Sequence, residues 1–166
     1  MLVDSHCHLS FKDLGEYSDN TVEILNNAKA KGITLVLDVI LKEHLLEKAL
    51  AFSNNHSMVY NAFGIHPCDV KKEQNSPFST EYLIKLFKSN SRLIGVGETG
   101  LDYYYTSENK QQQIEAFLTH CEVASQLEKP LIVHTRNAIA DTYNTLKQFV
   151  NKKSLSGVIH CFTEDI

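Results

Sequence analysis

No two of the four cysteines in this 166-residue sequence, at positions 7, 68, 121 and 161, stand at CxxC spacing. A disulfide scaffold is a short, cysteine-dense chain, so reduced thiols and a cytoplasmic setting are expected. An excess of positive charge is also missing: 16 Lys and Arg stand against 20 Asp and Glu, for a net charge of −4. That excludes a nucleic-acid binder that works through a broad basic footprint. It leaves a phosphate substrate open, because a bound metal supplies positive charge locally. No apolar run approaches the roughly 18 to 20 residues of a membrane span. Asp4 and His6 interrupt the N-terminus before a signal-peptide core could form. A soluble protein with no membrane partner is therefore expected. No GxGxxG or Walker loop is present, and no Ser or Cys nucleophile motif stands out.

What the sequence does have is alternation. The apolar runs "MLVDSH", "ITLVLDVI", "MVYNAFGI", "LIGVGE", "PLIVHT" and "SGVIHCF" are separated by helical patterns. Near-continuous apolar runs fit parallel strands covered on both faces. The intervening "TVEILNNAKAKG", capped by Asn20 and stopped by Gly32, "KEHLLEKALAFSNN", "STEYLIKLFKSN", Glu108 to Glu128, and Ile139 to Phe149 carry apolar stripes at helical spacing. The polar loop "CDVKKEQNSPFS" is long enough for an active-site lid. Residues 1–166 read as one α/β domain in the order β-α-β-α-β-α-β-α-β-α-β. An open doubly wound sheet and most of a (β/α) barrel both fit, and periodicity alone does not choose between them.

The chemistry-bearing residues gather at strand ends. His6 and His8 are two apart, so a strand turns both to one face. Glu98 follows the fourth run, His134 ends the fifth and His160 the sixth. Active sites of α/β proteins lie at the C-terminal ends of strands. A single Glu or His there is ordinarily a cap or a satisfied polar group. Five candidate ligands from four strands at one rim point to a metal centre. His66, after the third run, is a candidate substrate contact, as is Arg136, a candidate phosphate-facing guanidinium. Asp4 and Asp102 are candidates for orienting ligands, or for capping backbone. Cys7 alternates to the side opposite His6 and His8. His44, His56 and His120 are expected on the outside of helices.

The segments "DSHCHL", "GIHP", "GETGLDYY", "KPLIVHTRNA" and "GVIHCF", in this order, resemble the TatD family of metal-dependent deoxyribonucleases, from Met1 to about Phe162. The resemblance implies a TIM-type (β/α)8 barrel, of which this chain carries about the first six strands. It implies two divalent metal ions, of Mg, Mn or Zn type, at the C-terminal rim. His6 and His8 match the first metal's ligands, Glu98 the carboxylate shared by both, and His134 and His160 the second metal's. The implied activity is hydrolysis of DNA phosphodiesters, family-like as a 3'-5' exonuclease on single strands. Thr99 and Asn137 depart from the family pattern without removing a ligand.

The resemblance also implies two further βα units and a final aspartate, which Asp165 does not replace. Hence two further expectations: an impaired homologue or a piece of a longer chain, and self-association through open sheet edges. A related amidohydrolase acting on a small-molecule ester or amide is the other alternative, favoured by the missing basic surface.

Overall fold

The computed structural model describes residues 2–10, 17–71, 78–105, 107–150 and 155–163. Strands β1 (Leu2–Cys7), β2 (Ile33–Ile40), β3 (Val59–Phe63), β4 (Leu93–Asp102), β5 (Leu131–Arg136) and β6 (Gly157–His160) alternate with helices. These are α1 (Asp19–Ala30), α2 (Glu43–Asn55), α3 (Thr80–Ser89), α4 (Lys110–Leu127) and α5 (Ile139–Val150). A 3-10 turn spans Pro67–Asp69. Of the loop expected as a lid, residues 72–77 lie outside the described residues, as does Asp165.

All five strand pairings are parallel, and the sheet order is β1-β2-β3-β4-β5-β6. A doubly wound sheet reverses direction at a switch point. Here every strand pairs with the next, which is barrel order. Curvature follows from a side-chain contact. In a flat sheet, strands about 4.8 Å apart would separate β1 from β6 by about 24 Å. Instead the rings of His6 on β1 and His160 on β6 stack with centroids 3.5 Å apart. The six strands thus form a curled part of a TIM-type barrel, with the C-terminal tips of the first and last meeting across the mouth.

The period of two along each strand sorts its residues. On β5, Leu131 and Val133 pack outward into the main core with Val36, Val96, Leu83, Phe117 and Cys121. Ile132 joins Val39 and Ala62 in a small inner cluster. His134 and Arg136 share the parity of Ile132, so this strand presents floor, ligand and rim in succession.

Helix α1 starts one turn-step earlier than its sequence suggests. Ser18, not Asn20, is the N-cap, its Oγ accepting from the Asn20 N–H at 3.3 Å. Gly32, with φ 89°, ends that helix as expected. Helix α4 corrects another expectation: His120 is completely buried, not outward-facing. It sits three residues after Phe117 and four before Ala124, on the buried stripe.

Candidate metal centre

Glu98 lies in β4 where the ladder to β5 skips from Val96 to Thr99. Such an irregularity re-aims a side chain. The segment before it is packed backbone on backbone: a Cβ on Gly64 would lie 2.5 Å from Gly97 Cα. Gly97 itself has φ 130°, a region that suits glycine. These two glycines let the exit of β3, which carries His66, close onto the strand that carries Glu98.

The buried Glu98 carboxylate divides its two oxygens. Oε2 is 3.4 Å from His6 Nε2 and 4.0 Å from His8 Nε2. Oε1 is 3.3 Å from His134 Nδ1 and 4.0 Å from His66 Nε2. His6 Nε2 and His8 Nε2 are 3.3 Å apart, as are His66 Nε2 and His134 Nδ1. Four histidines from β1, the end of β3 and β5 therefore converge on one carboxylate. Donors about 2.1 Å from a tetrahedral cation lie about 3.4 Å from one another, so both groups have the size a divalent metal needs.

Hydrogen bonds fix which nitrogens carry lone pairs. His8 Nδ1 faces the Val39 carbonyl at 2.8 Å and must donate to it, leaving Nε2 bare. His134 Nε2 faces Asp102 Oδ2 at 2.9 Å, so Nδ1 is the nitrogen turned to Glu98. This is the carboxylate–histidine arrangement that orients metal-binding imidazoles. His66 differs. Its Nδ1 accepts the Cys68 N–H at 3.2 Å, and burial lowers its pKa. The neutral ring then carries its proton on Nε2, where it can donate but not ligate. The geometry that suits His66 as a ligand is thus opposed by its tautomer.

His160 pairs in register with His134, yet its ring stacks on His6 with an 8° interplanar angle. It stands beside the donor groups, outside the distances that join them. Arg136 lies against the rings of Tyr104 and Tyr105, with its guanidinium carbon 3.9 and 4.7 Å from their centroids.

Burial alone would keep Glu98 protonated. Hydrogen bonds from His134 and His6, with the field of His66, instead hold its carboxyl well below the usual range. Burial likewise opposes a charge on His134, but its bonds to Glu98 and Asp102 raise its pKa.

Supporting residues complete the site. Asp4 Oδ1 accepts the His6 backbone N–H at 3.2 Å. Asp102 both orients His134 and caps backbone, its Oδ1 accepting from the Tyr104 and Tyr105 N–H groups. The sequence did not reveal that Gln113 on α4 clamps Asp102, its Oε1 accepting from Asp102 N and its Nε2 donating to Asp102 O. Nor did it reveal His120, whose Nδ1–H donates to Ala116 O at 2.7 Å while Nε2 accepts the Ile65 N–H at 3.3 Å, one residue before His66. Buried Asp38 accepts from Leu9 N, Tyr17 OH and Asn61 Nδ2, pinning the chain just after His8.

Residues 3–166 match the family model described as TatD related DNase. The chain belongs to the TatD family. It is 39% identical over 166 residues to YcfH of Escherichia coli, described as an uncharacterized metal-dependent hydrolase, covering 99% of this chain and 60% of that one. A metal-dependent hydrolase of Buchnera aphidicola is 36% identical over 165 residues, again with 99% and 60% covered. The deoxyribonuclease Tat-D of Schizosaccharomyces pombe is 28% identical over 161 residues, covering 91% of this chain and 51% of that one. Among solved structures, the TatD homologue YJJV of E. coli superposes with a TM-score of 0.82 at 24% identity, covering 99% of this chain and 61% of that one. The chain thus spans about 60% of the length of the TatD relatives it matches. No helix among the described residues is long and apolar enough to cross a membrane.

Proposed function

We propose that this chain carries the metal centre of a cytoplasmic TatD-type hydrolase that cleaves DNA phosphodiesters, acting from 3' ends of single strands. The observation that carries the reading is the bridging geometry of Glu98, one oxygen toward each histidine group. In this reading His6, His8 and Glu98 hold one divalent ion. Glu98 and His134, with His160 swung from its stack on His6, hold a second. When bound, such ions polarise a phosphoryl group, activate water and stabilise charge on the attacking and leaving oxygens. The chain's own residues do the rest. Asp102 fixes the His134 ring, and His66 offers its Nε2–H toward a substrate oxygen. Among Mg, Mn and Zn, the histidine majority favours Zn, because imidazole suits Zn whereas Mg and Mn suit carboxylate and water.

The supporting experiment incubates the purified chain with a 5'-labelled single-stranded oligonucleotide and Mn²⁺ or Zn²⁺. The reading expects EDTA-sensitive shortening from the 3' end that Glu98→Ala abolishes. Metal uptake with no shortening would favour the impaired-homologue alternative. Shortening that survives Glu98→Ala would refute the assignment.

A further inference from the structure

The stretch Tyr103-Tyr104-Tyr105 follows β4 directly, and its three rings do different things. Tyr103 turns inward, its hydroxyl donating to Asp141 Oδ2 at 2.8 Å. Tyr104 and Tyr105 stay in water, 57% and 65% exposed. Their rings meet edge to face with centroids 4.8 Å apart and an interplanar angle of 87°. The Arg136 guanidinium lies over both. Two neighbouring exposed aromatics and a planar cation form a surface suited to flat, unsaturated ligands.

This surface is tied to the metal centre. The Asp102 carboxylate that receives the Tyr104 and Tyr105 N–H groups, at 3.0 and 2.8 Å, also holds His134 Nε2 with its other oxygen. Arg136 is two residues beyond His134 on β5, so both project to the same face. One carboxylate therefore sets the aromatic pair and a candidate ligand in fixed relation. The net charge of −4 gives the chain no overall attraction for DNA. A base-reading surface beside the centre would supply affinity that charge does not.

We infer that Tyr104, Tyr105 and Arg136 form a stacking platform for an unpaired nucleobase of the strand whose phosphate enters the metal centre. This rests on the phosphodiesterase reading above and adds its preference for single strands. A base inside a duplex is already stacked on its neighbours and has no free face for the platform. Aromatic stacking is tolerant of base identity, so the platform selects unpaired strands without selecting sequence.

The test uses the full chain and fluorescence anisotropy in EDTA, which prevents cleavage. Two labelled 12-mers of equal length and charge are compared, oligo-dT and an abasic backbone. The wild type should bind oligo-dT about tenfold more tightly, the size of one good base–aromatic stack. Tyr104→Ala with Tyr105→Ala should reduce that ratio to near one, while Tyr104→Phe with Tyr105→Phe should keep it. These rings are exposed and their Asp102 contacts are backbone, so both variants should fold. Equal binding of the two oligomers by the wild type, failure of oligo-dT to bind, or a ratio preserved in the alanine variant would overturn the platform. Zinc titration of the wild type separates the two levels. Zinc uptake without base preference refutes the platform alone, whereas no zinc uptake refutes the metal-centre reading and the platform with it.

Discussion

Asp102 hydrogen-bonds His134, which faces Glu98, and His120 hydrogen-bonds the backbone of Ile65, the residue before His66; each can be tested singly. Asp102 decides which nitrogen of His134 faces inward. Asp102→Asn should weaken zinc uptake by about 10- to 100-fold, the usual effect of losing a carboxylate behind a ligating imidazole. Isothermal titration would show it. Unchanged affinity would mean that Asp102 serves only the turn at Tyr104 and Tyr105. His120 is held neutral, burial taking its pKa down from 6.5 to about 4. Between these values the unfolded chain binds a proton that the folded chain does not. The His120 contribution is therefore complete above pH 6.5 and is lost as pH falls toward 4, about 3 kcal/mol in all. His120→Gln should show a flatter stability profile across that window in thermal unfolding. A profile identical to wild type would contradict the buried, neutral assignment.

Elements place these residues, and the glycine contact between the end of β3 and β4 is a close backbone joint beside Glu98. In Gly64→Ala the new Cβ meets backbone, Gly97 Cα at 2.5 Å, which cannot swing aside. A loss of about 1–3 kcal/mol or more is expected, together with weaker metal uptake as Glu98 shifts. Gly95→Ala is the comparison, since its Cβ would meet the Ala62 side chain at 3.3 Å. It should cost less and leave metal uptake near wild type; equal effects from the two substitutions would refute the joint's role. The strands and their terminal histidines were legible in the sequence because parallel strands read as apolar runs and ligands sit where those runs end. The face of α4 was less so. The stripe through Ile114, Phe117, Leu118, Cys121 and Leu127 left His120 looking external, although its spacing from Phe117 and Ala124 put it on the buried side. Gln113 was invisible because nothing local marks a glutamine that reaches another element's backbone. The ring stack of His160 on His6 depends on sheet curl, which no pairing pattern within one segment encodes.

At the scale of the whole molecule, the sheet formed by the described residues has two edge strands. Among the described residues β1 pairs with β2 alone and β6 with β5 alone. Leu2 and Val3 at one edge are 59% and 50% exposed, and Val158 at the other 55%. Unpaired apolar edges invite pairing with another chain. We expect concentration-dependent self-association by light scattering, and a monodisperse monomer across a wide concentration range would refute this. The central claim, that one carboxylate serves two metal positions, is tested most directly by metal content. Wild type, Glu98→Ala, His6→Ala and His134→Ala would be loaded with zinc, dialysed and measured by mass spectrometry, with circular dichroism confirming the fold of each. The account predicts that His6→Ala and His134→Ala each remove part of the bound metal, and that Glu98→Ala depletes both parts. Wild-type metal content in Glu98→Ala, or an unchanged content in His134→Ala while His6→Ala removes all metal, would contradict it.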